Sequence, residues 1–370
     1  MEEHVMKIAI LTFHRACNYG AVLQAYALQS SLNALSGVQA SLLDYYSPGV
    51  YDLYTQFGML RRKANIVKNL AAEVLLFKTI AVRNRCFADF RQRHFSIEQQ
   101  NVKKEALEQA ARKYDCIIVG SDQVWNGELT GNDSAFLLDF VPDEVRKFSY
   151  AASVGKAALE QEKLQSVLAL LKKFDAVSLR EPNFLEKFQQ ELPGKEIRCD
   201  VDPVFLLSPA NWRSFAKKTE REPYVLFFTL GGGKSTDKVA EYARQVAREK
   251  GIRVVYASSD DRWYAFRDME HAGVLSPEEL IGLIDGAECV VTNSFHATAF
   301  SIIMHTPFFV DLGASYNSRI TNLLRLTGLE ERTIQSCENG LQVDWNDVDA
   351  RLEKEIIQSK EYLSQIVDLG

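Results

Sequence analysis

Asn293, Ser294 and His296 interrupt an otherwise apolar stretch, VVTNSFHATAF (290–300). A strand-like run precedes them and a helix-like run follows, so they would stand where a strand ends and a helix begins. At a helix start the dipole disfavours an imidazolium and favours a bound anion. That position suits a histidine that donates to a phosphate or carboxylate, or acts as a general acid near neutral pH. The chain has six histidines, and only His14 and His296 fall at expected carboxyl ends of strands. His4 lies in a tail, His94 in a basic helical segment, and His271 and His305 ahead of later strands. No His-His-carboxylate set is visible, so neither a metal nor another cofactor is expected.

Other stretches offer complementary chemistry. GSDQVWN (120–126) follows an apolar run and supplies Ser121, Asp122, Gln123 and Trp125. An acceptor carboxylate beside a flat indole is what sugar recognition uses, although a Trp there also plugs a sheet edge and an Asp also caps a turn. Arg180 directly follows an apolar strand, a placement suited to bidentate capture of a carboxylate or phosphate, with the adjacent Glu181 as an alternative ion-pair partner. Asn18, Tyr19 and Gly20 open a helical pattern, where Asn caps and Gly allows close backbone approach to an anion. Arg319, in NSRI (317–320), is a second cation candidate. GGGKS (231–235) lacks the upstream glycine of a phosphate-binding P-loop, leaving a glycine-rich loop with Lys234.

The elements that must position these residues alternate. Strands are expected near 7–12, 39–44, 115–119, 147–151, 175–179, 198–202, 224–230, 252–257, 289–292 and 307–311, with helical patterns between them at 21–35, 157–173, 237–249 and 277–285. This alternation predicts an α/β fold of two Rossmann-like domains, their parallel sheets facing each other across a cleft. Several strands are apolar throughout, as when both faces are covered. Ligands in such sheets bind beyond the carboxyl ends of the strands, which is where the polar stretches fall. The break at 203–222 divides the chain into 1–208 (acceptor side), 209–343 (donor side) and a C-terminal helix, 344–370.

Composition sets outer limits. At 370 residues, 46% hydrophobic and 25% charged, the chain reads as an ordinary globular protein of two domains. The net charge of −6 gives no reason to expect a nucleic-acid partner. Six dispersed cysteines without C-x-x-C spacing read as reduced core residues. Neither a signal peptide nor an apolar run long enough to span a membrane is evident, so a cytoplasmic setting is expected. Residues 61–94 hold nine Lys/Arg against two acids inside an acidic protein. They read as a helix pair with a solvated basic face, or as a docking face for an anionic or membrane-attached substrate, which would be a peripheral membrane contact.

Taken together, IAILTFHRACNYGAVLQAYAL (8–28), YDCIIVGSDQVWN (114–126), SYAASVG (149–155), VSLREP (177–182), DPVFLL (202–207) and VVTNSFHATAFSIIMHTPFF (290–309) resemble the polysaccharide pyruvyltransferase family. The resemblance implies a GT-B-like fold and transfer of a pyruvyl unit from phosphoenolpyruvate to sugar hydroxyls of a cell-surface glycan or its precursor, forming a cyclic ketal. It implies that Arg180 and His296 match residues placed with phosphoenolpyruvate. Ser294 departs from the pattern, since better-known members carry a basic residue there, and Arg319 and Lys234 are the candidates to replace that charge. On this basis His296, Arg180 and Asp122 are the expected catalytic residues. Asn18, Tyr19, Gly20, Ser121, Gln123, Trp125, Asn293, Ser294 and Arg319 are the expected substrate-binding residues. The acceptor would be a glycan or lipid-linked saccharide. A nucleotide-sugar glycosyltransferase and a catalytically silent glycan- or anion-binding protein are the rival readings.

Overall fold

In a computed structural model, the chain is described at residues 5–47, 49–50, 66–155, 161–218, 221–231, 234–259, 266–313, 318–336 and 342–369. It divides into two compact units. One comprises 1–62, 91–206 and 354–370, and the other comprises 63–90 and 207–353. Residues 66–90, part of the basic segment 61–94 within the expected domain 1–208, are counted with the second unit. The Trp345–Asp368 helix is shared, its first part counted with the second unit and its last part with the first.

The first unit is built on β1 (Met6–Leu11), β2 (Val38–Leu42), β3 (Cys116–Asp122), β4 (Arg146–Ala152), β5 (Ala176–Leu179) and β6 (Glu196–Cys199). They form one sheet in the order β2-β1-β3-β4-β5-β6, parallel throughout. All seven residues of β3 are buried, which is why that strand reads as a continuous run and not as alternation. The Tyr19–Asn33 helix follows β1, and the Gln161–Leu171 helix connects β4 to β5. The order reverses between β1 and β3, and the crevice at the carboxyl ends of those two strands is the place such sheets offer to a ligand.

The second unit contains β7 (Tyr224–Thr229), β8 (Arg253–Ser258), β9 (Glu270–His271), β10 (Cys289–Thr292) and β11 (Phe308–Val310), again parallel, in the order β11-β10-β7-β8-β9. Here the order reverses between β7 and β10. Two helices start just beyond those strands, Lys234–Lys250 and Phe295–Met304. The Pro277–Asp285 helix begins with a capping box, Ser276 and Glu279 satisfying each other's backbone N–H groups. Strand β9 was not expected, because two residues make no apolar run. It places His271 at a carboxyl end, not ahead of a strand as the sequence suggested.

One glycine fixes the first switch point. Gly120 has φ +117°, and a Cβ there would lie 2.3 Å from the Tyr150 carbonyl oxygen. Gly120→Ala is therefore expected to destabilise the unit by at least about 1–3 kcal/mol through backbone strain, and by more through main-chain displacement. A urea titration reads this as a lower midpoint with little change in slope.

Candidate functional site

At the first switch point, Asn18 caps the Tyr19–Asn33 helix, its side chain accepting the Ala21 N–H at 3.1 Å. Tyr19 and Gly20 are buried within the first turn. Of these three expected substrate-binding residues, Asn18 thus carries a visible structural task. His14 is 1% exposed, with one ring nitrogen 3.1 Å from the Thr12 carbonyl and the other 3.0 Å from Asp44. Arg15 Nε lies 3.1 Å from the same carboxylate, and the Asn101 N–H donates to it at 2.8 Å. These contacts latch the loop after β1 to the end of β2.

Burial pushes the Asp44 carboxyl up, but the His14 and Asn101 hydrogen bonds and the charges of His14 and Arg15 outweigh it and hold the group below its ordinary value. A depressed folded-state value means that the latch contributes stability above the unfolded carboxylate value, about 3.9, and loses it as pH falls through the folded value. The melting temperature of the wild type should therefore fall below about pH 4 toward that of Asp44→Asn, whose deficit is largest near neutrality. A Tm-against-pH series on both proteins checks the convergence.

Asp122 is the last residue of β3, not part of the following loop as the sequence suggested. It adopts φ +69° and is 8% exposed, with Oδ1 accepting the Gln123 N–H at 2.8 Å. A left-handed aspartate costs on the order of 1–3 kcal/mol and persists only where its surroundings over-determine it. Ser153 donates its N–H to the Asp122 carbonyl at 2.9 Å. Gln123 accepts from Asn126 at 2.9 Å.

Trp125 is placed otherwise than expected. It is 4% exposed, lies in the main core cluster and donates Nε1–H to the Phe136 carbonyl at 2.9 Å. Its ring meets Phe174 edge-on. At that degree of burial the indole fills the core and leaves no surface for a sugar to stack upon.

Arg180 is brought to the same edge. Its side chain is 3% exposed, with Nη2 3.0 Å from Asp202, which is fully buried, and 2.5 Å from Ser121 Oγ. Glu181, the neighbour considered as its partner, instead accepts the Ser153 hydroxyl. Sequence reasoning missed Asp202 as a site residue, although DPVFLL was visible as a motif. The loop that carries it is pinned: the Val204 N–H bonds Asp202, the Tyr150 hydroxyl bonds the Val201 carbonyl, and the Val201 N–H bonds Ser359 of the last helix.

The second unit gathers the other candidates at its own switch point. Asn293, at the end of β10, accepts the Leu230 N–H at 2.8 Å and donates to the Leu230 carbonyl at 3.3 Å, tying the end of β10 to that of β7. Ser294 is 3% exposed and caps the Phe295–Met304 helix, its Oγ accepting the Ala297 N–H at 3.3 Å. A serine in that position works as a cap, which a basic side chain would not do. His296 is half-buried in the first turn, its ring edge-on to Phe295 at 5.1 Å between centroids. The Arg319 guanidinium lies 5.9 Å from the centre of the same phenyl ring. Histidine, phenylalanine and arginine thus form one group beside a helix N-terminus, an arrangement able to receive an anion. Residues 232–233, the Lys234 side chain and residues 314–317 lie outside the described residues. Among the described residues no three His, Cys, Asp or Glu side chains come together as a metal site.

Two parallel sheets of Rossmann-like order, each with polar residues at its switch point, define a GT-B-like α/β protein. Solved structures agree on the fold. A UDP-GlcNAc 2-epimerase from Methanocaldococcus jannaschii superposes with a TM-score of 0.54 at 10% identity, covering 99% of this chain and 100% of that one. The S. aureus MnaA–UDP co-structure gives 0.52 at 11% identity, covering 95% and 88%. UDP-GlcNAc 2-epimerase from Neisseria meningitidis, bound to UDP-GlcNAc, gives 0.50 at 10%, covering 94% and 99%. The chain itself belongs to the polysaccharide pyruvyl transferase family, whose model matches residues 18–310, and it is accordingly a transferase. No curated protein matches its sequence.

Proposed function

We propose that this transferase moves the pyruvyl unit of phosphoenolpyruvate onto two hydroxyls of a sugar in a cell-surface polysaccharide or its precursor, closing a cyclic ketal. Within a family of pyruvyl transferases, the observation that carries the donor assignment is the grouping of His296 and Arg319 around Phe295 at a helix start. Phosphoenolpyruvate presents a carboxylate and a phosphate, and this group offers a guanidinium, an imidazole and a helix N-terminus to them.

The reaction runs as follows. Carbon 3 takes a proton, positive charge develops at carbon 2, a sugar hydroxyl attacks there and phosphate leaves. A second hydroxyl then closes the ring. His296 donates to the departing phosphate or protonates carbon 3. Asp122, fixed at the end of β3, accepts a proton from an attacking hydroxyl. Arg180, committed to Asp202 and Ser121, keeps the strand ends that carry Asp122 in register. The setting is cytoplasmic. The exposed Lys78, Arg85 and Arg93 on the Ile66–His94 helix belong to the basic segment and are the described residues that would approach an anionic, lipid-linked acceptor. Among the described residues no helix is long and apolar enough to cross a membrane.

A thermal titration tests the donor. A ligand that binds only the folded state at 100 times its Kd stabilises it by about 2.7 kcal/mol. Phosphoenolpyruvate should raise Tm in the wild type and lose the effect in His296→Ala. A rise with UDP-sugars alone, the ligand class of the UDP-GlcNAc bound in the Neisseria meningitidis epimerase, would replace the donor assignment by a nucleotide sugar. Binding of phosphoenolpyruvate or glycan without turnover would indicate a silent binding protein.

A further inference from the structure

The polar residue Gln24 sits in an otherwise apolar helical stretch, AVLQAYAL (21–28), and is fully buried. Both of its amide hydrogens and its oxygen are engaged. Nε2 donates to Thr12 Oγ1 at 2.9 Å and to the Ala21 carbonyl at 2.8 Å, while Oε1 accepts the Ser121 N–H at 3.1 Å. The Thr12 hydroxyl donates in turn to the Ser121 carbonyl at 3.1 Å. The register between β1 and β3 ends with Leu11 opposite Val119. Beyond it, the side chains of Thr12 and Gln24 take over both main-chain groups of Ser121.

On its other flank, Ser121 donates its hydroxyl to the Ala151 carbonyl at 2.8 Å and accepts from Arg180. Ser121 is therefore fixed by groups from the β1 loop, the first helix, β4 and the residue after β5. The next residue is Asp122 in its left-handed conformation. Such a conformation survives only where neighbours hold it, and Gln24 holds the preceding residue at its N–H directly and at its carbonyl through Thr12.

We infer that Gln24 is a positioning residue that sets Asp122 for proton transfer by clamping the Ser121 main chain, directly at its N–H and through Thr12 at its carbonyl; this rests on the reading of Asp122 given above. Only an amide supplies two donors and an acceptor at this spot. Glutamate keeps the acceptor and loses both donors when ionised, and methionine fills the space with neither. A glutamine that merely satisfied the core would affect stability without affecting the chemistry of Asp122.

The test is a double-mutant cycle in pyruvyl transfer, with kcat, donor KM and Tm measured for the wild type, Gln24→Met, Gln24→Glu, Asp122→Asn and Gln24→Met/Asp122→Asn, well below the lowest Tm. Each Gln24 substitution is expected to lower kcat by about tenfold or more, with donor KM within about twofold, and Gln24→Met should change kcat less than about twofold once Asp122 is already asparagine. An unchanged kcat beside a lowered Tm, or effects that multiply in the double variant, would overturn the inference. A wild type that transfers no pyruvate would sink the functional reading separately. The clamp is then judged by amide exchange: loss of protection confined to 120–126 in Gln24→Met supports it, and unchanged protection there refutes it.

Discussion

Arg180→Ala is expected to cost about 3–5 kcal/mol of stability, because it strands the Asp202 carboxylate in the interior. Asp202 is fully buried and Arg180 nearly so, which leaves water little access to compensate. Removing both charges together should behave differently. In Arg180→Met/Asp202→Asn the asparagine oxygen can still accept the Val204 N–H, and no unpaired charge remains. Stability should recover to within about 1–2 kcal/mol of the wild type. Turnover should not recover, since Ser121 loses the guanidinium that holds its hydroxyl. The kinetic signature separates two roles for Arg180: a fall in kcat with donor KM nearly constant fits the positioning role, whereas a large rise in donor KM would mean that Arg180 touches the donor. Urea midpoints and steady-state kinetics on the single and double variants settle the matter.

His296→Ala should act in the opposite sense, damaging chemistry while sparing the fold. The side chain is half-buried in the first turn of its helix, and that turn is already capped by Ser294. Loss of a positioned general acid costs about 10²–10⁴-fold in rate. A kcat decrease in that range is expected, with little change in Tm. His296→Gln keeps a donor but cannot deliver a proton. Recovery of kcat in His296→Gln would assign the residue to hydrogen bonding of the phosphate, and its failure to recover would assign it to proton transfer. A kcat in His296→Ala within a few-fold of the wild type would remove the residue from the mechanism.

Much of the fold is legible in the residues themselves. Among the described residues, every strand but β9 overlaps a run expected from the sequence, and the fully buried β7 and β10 are the plainest, because strands covered on both faces are apolar nearly throughout. β9 escapes because Glu270 and His271 are too few and too polar to make such a run. The candidate site was legible where its residues are local in sequence. Asn293, Ser294 and His296 stand out because a strand-to-helix turn between apolar runs needs little polarity beyond a cap. It was illegible where chemistry depends on distant pairing. Nothing near Arg180 in sequence identifies Asp202 as its partner in place of Glu181, since that choice is made by the β5–β6 crossover. Trp125 reads alike as a sugar platform and as a core plug, and only the Phe136 carbonyl that takes its N–H and the Phe174 ring beside it decide for the core. Gln24 did carry a signal, as the amide inside the apolar stretch AVLQAYAL (21–28) of a helix buried through most of its length. Its meaning required the unexpected neighbour, Ser121, 97 positions away.

The most direct measurement is acceptor-dependent release of phosphate from phosphoenolpyruvate, with the saccharide product characterised by NMR. Pyruvyl transfer predicts phosphate released only when a glycan acceptor is present, in equal amount to a new ketal carbon on the sugar, and slowed about 10²–10⁴-fold in His296→Ala. Phosphate release without a ketal, or glycosyl transfer from a UDP-sugar by the same preparation with phosphoenolpyruvate left intact, would contradict it.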